Sequence, residues 1–524
     1  MSVTIYDTTL RDGTQGSGVS FSSLDKLRVA HKLDEFGVDY IEGGWPGSNP
    51  KDVTFFEEAA KHTWLKAKIA AFGSTRRAGI AVEDDPQVAL LLAAQTPVVT
   101  IFGKSWKLHV TEVLRTTPEE NQAMIRDTVK HLADHGREVV YDAEHFFDGF
   151  KDDEEHALAT LRAAAEGGAD ILVLCDTNGG TLPEEVHAVC ARVCEDLEMP
   201  VGIHTHDDSG LGVANALAGI RAGAVQVQGT INGYGERTGN CNLTSVIPNL
   251  QLKMELPVVE DLTALTALSH FVADLANCAR NERAPFVGST AFSHKGGMHV
   301  NAVQKLARTY EHIEPVSVGN SQHILISELS GQSNVLLKAQ ELGVDLEKGS
   351  AEVMEIVRRL KELEEKGFEF EAAEASFELL VREAVGSYRP FFDFKEFHCS
   401  YRRRGDGEYV TCEATVKLNV GGEDNYTVAE GDGPVNALDA ALRKALKPFY
   451  PAISEAELTD YKVRIIDSHM GTASKTRVLI LSSDGATSWG TVGVSYNIIE
   501  ASWLALVDSF DYFLFSRGLE PIVA

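Results

Sequence analysis

The chain has 524 residues, 44% of them apolar, and a formal charge of −29 at neutral pH. That length exceeds one ordinary domain and predicts roughly three, and the apolar fraction is enough for full cores. The acidic balance speaks against nucleic acid or an anionic membrane surface as the main partner, since its long-range field repels both; a small anion drawn into a local cleft is compatible with it.

No run approaches the roughly 18 apolar residues of a membrane span. The first thirty residues carry Asp7, Arg11, Asp12, Asp25 and Lys26 where a secretory signal needs an apolar core. The expected location is therefore the cytoplasm, with no membrane partner. Seven cysteines are scattered without a CxxC pair and read as reduced, mostly buried thiols; Cys190 and Cys194, at i,i+4 on a helix, share a core face.

In chain order, residues 1 to about 255 alternate short β-branched apolar runs with amphipathic helical stretches. The predicted strands are Val3–Tyr6, Tyr40–Gly44, Lys68–Gly73, Val98–Gly103, Glu138–Glu144, Ile171–Thr177, Val201–His206 and Val227–Gly233. Eight strands, each followed by a helix, match an α/β architecture of the (β/α)₈ TIM-barrel type. A doubly wound open sheet is the alternative, but no G-x-G-x-x-G follows the first strand. Polar residues gather at the carboxyl ends: the Asp7–Asp12 cluster, Glu42, Glu144, Asp176-Thr177-Asn178, His204, His206 and the stretch from Asn232. Barrels build their sites at that end.

Residues 256 to about 275 read as one more helix, which closes a catalytic barrel of 1–275. The glycine- and histidine-bearing segment through Phe292-Ser293-His294-Lys295-Gly296-Gly297-Met298-His299 has the texture of a lid or of a donor to the site, so 276–330 is set apart. Residues 331–388 form a helical region whose charges, Lys338, Glu341, Glu352 and Arg358 among them, make solvated faces around Val353, Ile356, Val357 and Leu360. From 389 to 524 the texture is that of an α+β regulatory domain with an internal repeat. Tyr426-Thr427-Val428, Gly431-Asp432-Gly433-Pro434 and a helix Val435–Leu446 recur roughly 62 residues later as Trp489-Gly490-Thr491-Val492, Gly493 and a helix Asn497–Val507. Two tandem strand–strand–helix units give a pseudo-symmetric module with a surface for a small ligand or a second subunit.

At the chain start, Arg11 sits beside Asp12 where a strand ends. Burying such charges costs several kcal/mol unless they are paired or bound, so the pair reads either as a surface ion pair or as part of a site for a divalent cation and an anionic, oxygen-rich ligand. His204-Thr205-His206 decides between them. Residues i and i+2 of a strand project to one side, and with Asp12 they form a face of two nitrogens and one oxygen for a divalent metal, its identity open among manganese, zinc and magnesium. The competing reading is a hydrogen-bonded histidine pair in the core. Asp207 and Asp208 are candidates to orient the ligands, and Asn240, in the glycine-rich stretch Asn232–Asn240, can add a further oxygen.

Together, Asp7-Thr8-Thr9-Leu10-Arg11-Asp12-Gly13, His204-Thr205-His206-Asp207, Gly235-Glu236-Arg237-Thr238-Gly239-Asn240 and the C-terminal repeat resemble the 2-isopropylmalate, homocitrate and citramalate synthase family. Gly43-Gly44-Trp45-Pro46-Gly47-Ser48-Asn49-Pro50 and Phe102-Gly103-Lys104-Ser105-Trp106 look most like the citramalate branch. The resemblance implies a metal-dependent condensation of acetyl-CoA with a 2-oxo acid, pyruvate in that branch. Asp12, His204 and His206 match the metal ligands, with Asn240 an occasional one. Arg11 matches the arginine that balances the developing oxyanion, Thr177 a contact to the oxo-acid carboxylate, and His299 the general base with Glu144 and Tyr310 as partners. The resemblance also implies a homodimer and an isoleucine effector at the C-terminal domain. The rivals are a synthase for a larger acceptor such as 2-oxoisovalerate, a retro-aldol lyase on the same barrel, which needs neither His299 nor the repeat, and a non-catalytic amino-acid sensor, which leaves the metal face idle.

Overall fold

The computed structural model describes residues 2–294, 299, 302–303, 305–324, 332–403, 410–466, 471 and 473–522. They form two compact units: Met1–Phe292 with His312–Gln322, and Ser293–Glu311 with His323–Ala524. Among the described residues no helix is long and apolar enough to cross a membrane.

In the first unit eight parallel strands close in sequence order: β1 (Thr4–Asp7), β2 (Tyr40–Gly44), β3 (Lys68–Ser74), β4 (Val98–Lys104), β5 (Glu138–Glu144), β6 (Ile171–Asp176), β7 (Val201–Thr205) and β8 (Gln226–Gly229). The barrel closes through β1, which pairs Tyr6 with Tyr40 on one side and Thr4 with Gln226 on the other. Strands β2, β6, β7 and β8 are buried at every position. Both faces are covered, as parallel strands require: the inner by Tyr6, Tyr40, Val98, Val140, Ile171 and Val173, the outer by the helices. Those helices start and stop on local signals. Ser22 and Asp25 form a capping box at the head of Ser23–Phe36, which ends on Gly37 at φ 94°, and Thr117 accepts the Glu120 N–H ahead of Pro118–Asp134.

Seven strands lie within a residue or two of expectation, and the eighth is shorter. β8 stops at Gly229 because Asn232 turns left-handed, φ 64°, in a short helical turn, Ile231–Gly233. The helix expected from 256 is shorter too. Glu255 has φ 58° and Pro257 follows it, so helical structure starts with a turn at Leu262–Ala264 and continues as Leu265–Leu275.

In the second unit the charged region forms three helices, Gln332–Glu341, Ala351–Glu365 and Glu374–Ala384. Val335, Ile356, Leu360, Phe377, Leu380 and Val381 pack into a core of their own. The C-terminal repeat is two three-stranded antiparallel sheets, each followed by a helix: Asp393–Arg403, Val410–Val420 and Glu423–Gly431 before Pro434–Leu446, then Glu457–Ile465, Thr476–Ser483 and Ser488–Ser495 before Ile498–Ser516. Each unit thus has three strands, not two. The additional strands are largely exposed and carry charge, Lys395, Glu396, Asp460 and Lys462 among it, which masked their alternation. Thr427 Oγ1 donates to Ala441 O and Thr491 Oγ1 to Ala505 O, both at 2.8 Å across |i−j| of 14. From 427 to 491 is 64 residues, the true offset of the repeat. A bulge recurs at that offset as well, at Phe394/Glu396 and Leu458/Asp460. All seven cysteines are free thiols, with Cys190 buried and Cys194 partly so.

Candidate active site

At the end of β1 the chain turns through Thr8–Asp12, and Asp7 holds that turn by accepting the Thr9 N–H at 3.0 Å and hydroxyl at 2.9 Å. Burial pushes the Asp7 carboxyl up to about 7. Arg11 is clamped by Glu42 in the middle of β2: its Nε donates to Glu42 Oε1, which also accepts the Thr8 hydroxyl at 2.6 Å, and Tyr6 O–H donates to Oε2 at 2.6 Å. The guanidinium carbon lies 3.7 Å over the Phe72 ring, a cation–π contact in a dry setting. Its Nη1 is 3.4 Å from Asp12 Oδ2.

Asp12, His204 and His206, all buried, offer ligand atoms within 4.8 Å of one another. Asp12 Oδ2 is 3.5 Å from His204 Nε2, and the two histidine Nε2 atoms are 3.3 Å apart. Burial works to raise the Asp12 pKa, but Arg11, His204, His206 and the Asn240 amide outweigh it and hold the carboxyl below its ordinary value. Burial, then His204, pushes His206 down to about 3, so its ring is neutral. Gln228 on β8 orients the other ring: its Oε1 is 2.9 Å from His204 Nδ1 and its Nε2 donates to Asp142 Oδ1 at 3.0 Å, which turns Nε2 toward the cluster. Two imidazoles and a carboxylate suit a divalent cation. Asn240 fits the same group. A bridge places it beside His206, and its buried Oδ1 has no hydrogen-bond partner among the described residues, although its Nδ2 donates to Tyr234 O at 3.3 Å.

Arg11, Asp12, Asp142, His204 and His206 border a cavity of about 230 Å³ that Trp45, Phe72, Phe102, Glu144, Thr177 and Arg237 also line. Thr177 Oγ1 accepts the His145 N–H at 2.9 Å, which leaves its own proton free for a ligand. Glu144 is ion-paired with Lys104 at the end of β4. Asp207 and Asp208 do not orient the histidines. Asp207 accepts the Gly212 N–H at 2.7 Å and Asp208 pairs with Arg237, also at 2.7 Å. His299 and Tyr310 belong to the second unit, where their rings stack with centroids 4.3 Å apart; Gly296, Gly297 and Met298 before the histidine lie outside the described residues. Sequence reasoning missed Lys104, Asp142 and Gln228. The signals were present: Asp142 and Glu144 share a strand face as His204 and His206 do, and Gln226 and Gln228 are amides on a buried strand.

A closed (β/α)₈ barrel with a carboxylate–imidazole cluster, an arginine and a hydroxyl at the carboxyl ends of its strands defines a barrel enzyme for a small oxygen-rich substrate. Residues 2–272 match the HMGL-like family, 286–367 the homocitrate synthase post-HMGL domain-like family and 371–514 the LeuA allosteric (dimerisation) domain. The chain is 54% identical to the (R)-citramalate synthase of Aquifex aeolicus over 99% of both chains, and 46% identical to that of Sulfolobus acidocaldarius over 99% of this chain and 98% of that one. A probable 2-isopropylmalate synthase of Methanopyrus kandleri is 31% identical over 96% of this chain and 97% of its own. The chain belongs to the HMGL-like family, in the branch of 2-isopropylmalate, homocitrate and citramalate synthases, and it stands nearer the citramalate members than that isopropylmalate one.

Proposed function

We propose that the protein condenses acetyl-CoA with pyruvate and water to give (R)-citramalate and CoA, an acyl transfer in which the acetyl group becomes an alkyl group. The observation that carries this reading is the Asp12–His204–His206 cluster with Arg11 and Thr177 beside it, in a chain that matches (R)-citramalate synthases at 46–54% identity. Asp12, His204 and His206, with Asn240, would hold a divalent cation, manganese, zinc or magnesium, which supplies Lewis-acid polarisation of the acceptor's keto group. The Thr177 hydroxyl donates to the acceptor carboxylate. His299, with Tyr310 against its ring, takes a proton from the acetyl methyl group, and Glu144 assists. The carbanion equivalent attacks C2, and Arg11 balances the charge that forms on the C2 oxygen. Water then cleaves the thioester, which makes the sequence effectively irreversible.

In this reading the reaction opens a pyruvate route to isoleucine in the cytoplasm, residues 1–275 form the catalytic barrel, 276–330 contribute His299 and Tyr310, and 389–524 form the dimerising, isoleucine-sensing part. The test is release of free CoA thiol from acetyl-CoA with pyruvate, 2-oxobutyrate, 2-oxoisovalerate and 2-oxoglutarate in turn, with and without chelator. Pyruvate-dependent, chelator-sensitive release is expected, with loss of turnover in His299→Ala. Release only with 2-oxoisovalerate would make it a 2-isopropylmalate synthase instead.

A further inference from the structure

Trp45, the first residue after β2, forms one wall of the cavity together with Phe72 and Phe102. Its ring meets Phe72 edge-on at 5.7 Å and Phe102 at 5.8 Å, and the two phenylalanines stack at 5.5 Å. A 2-oxo acid held by its carboxylate and keto oxygens on the polar side must turn its carbon substituent toward these rings. The position of the indole therefore sets how much substituent fits.

That position is fixed from several directions. The Trp45 backbone N–H donates to Asp52 Oδ2 at 2.9 Å, and its carbonyl accepts the N–H groups of Ser48 at 3.0 Å and Asn49 at 3.2 Å. Asp52 is held by a buried ion pair with Lys26, whose Nζ also donates to Gly43 O at 3.0 Å. The indole Nε1–H donates to Gln87 Oε1 at 3.2 Å, and Gln87 Nε2 donates to Gly47 O at 3.3 Å. The backbone leaves no slack here. A Cβ on Gly47 would lie 1.9 Å from Gln87 Oε1, and one on Gly44, at φ 152°, would lie 2.3 Å from Asp52 Cγ. Among these tethers only Gln87 acts on the ring itself.

We propose that Gln87 is a specificity-determining positioning residue: by holding the Trp45 indole it sets the size limit of the acceptor pocket, which admits a methyl substituent and rejects longer chains. The proposal rests on the 2-oxo acid reading given above. Gln87→Leu keeps the volume and removes the acceptor, whereas Gln87→Glu keeps an acceptor oxygen. The ratio of kcat/KM for 2-oxobutyrate to that for pyruvate should rise about tenfold in Gln87→Leu, the scale of one methylene in a pocket, and stay near the wild-type ratio in Gln87→Glu. Trp45→Phe, which lacks the Nε1–H, should shift the ratio in the same direction, and adding Gln87→Leu to it should change nothing further. Equal loss for both acceptors in Gln87→Leu, or additive effects in the double variant, would overturn the proposal, because a merely structural glutamine gives that result. A readout independent of turnover is the indole emission component lost in Trp45→Phe. It should shift in Gln87→Leu without any substrate present, and an unchanged component overturns the clamp. Failure of the wild-type protein to release CoA with any 2-oxo acid would instead remove the proposed activity while the emission still decides the clamp.

Discussion

At the barrel mouth Asp12, Glu42, Asp142, His204 and His206 are all buried, whereas the strands of the C-terminal repeat bury Ala414, Val416, Leu418, Val478, Ile480 and Val492. Burying charge costs several kcal/mol unless partners are supplied. The mouth supplies them one by one: Glu42 for Arg11, Arg11 for Asp12, Gln228 for His204. The repeat's sheets bury mainly apolar side chains, with Arg477 paired to Glu369 as an exception, and reuse one contact, a threonine hydroxyl on a helix carbonyl, in each half. Charge retained at such expense marks the region where geometry serves a ligand, and cheap apolar burial marks the region free to be duplicated.

The strongest way to sharpen that contrast is His204→Ala. It should lower kcat/KM by about 10³-fold or more and abolish bound metal measured on the purified protein, while leaving the unfolding midpoint nearly in place. Gln228→Leu removes the group that orients His204 and should weaken metal affinity about 10- to 100-fold by competition with a chelator. The repeat has its own exception in Asp511, whose carboxyl burial pushes up to about 7. The folded chain then keeps a proton that the unfolded chain releases near pH 4, so this group's contribution to stability is present at low pH and lost as pH rises through about 7. From pH 4 to pH 8, urea unfolding should move in favour of Asp511→Asn over wild type by on the order of 2–4 kcal/mol. The smallest effects belong to Thr427→Val and Thr491→Val. Each should cost about 1 kcal/mol, and markedly unequal values would break the equivalence of the two halves.

Much of this was legible in the chain. Apolar runs separated by helical stretches gave the barrel, and two histidines one residue apart on a strand gave the cluster with Asp12, because both follow from local periodicity. Features set by distant partners were not. Nothing near Gln228 announces His204 across |i−j| of 24, or Asp142 across 86. Lys104 meets Glu144 only because β4 and β5 pair in register. The left-handed Asn232 that shortens β8, and the charged outer strands of the repeat, look locally like their opposites. The roles of His299 and Tyr310 were read through family resemblance, since no local pattern in the sequence marks either residue.

The recurring contact has a consequence for how the chain reaches its native state. Two halves of one topology could exchange helices while folding, each settling on the other's sheet. At one more repeated position Asn425 Nδ2 donates to Ala445 O at 2.8 Å, and 64 residues on Trp489 Nε1 donates to Ser509 O at 3.2 Å. The bond is the same, but an amide makes it in one half and an indole in the other. At that offset the buried Ala437 and Ala441 of the first helix answer to Ala501 and Ala505 of the second, but Leu438 answers to Ser502 and Leu446 to Phe510, and Phe513 stacks on Trp489. Seating the second helix on the first sheet would leave a void where Leu438 packs and overfill the place of Leu446, each worth ~1–3 kcal/mol. Divergence in side-chain size thus acts as a sorting code that keeps a duplicated module from misassembling with itself.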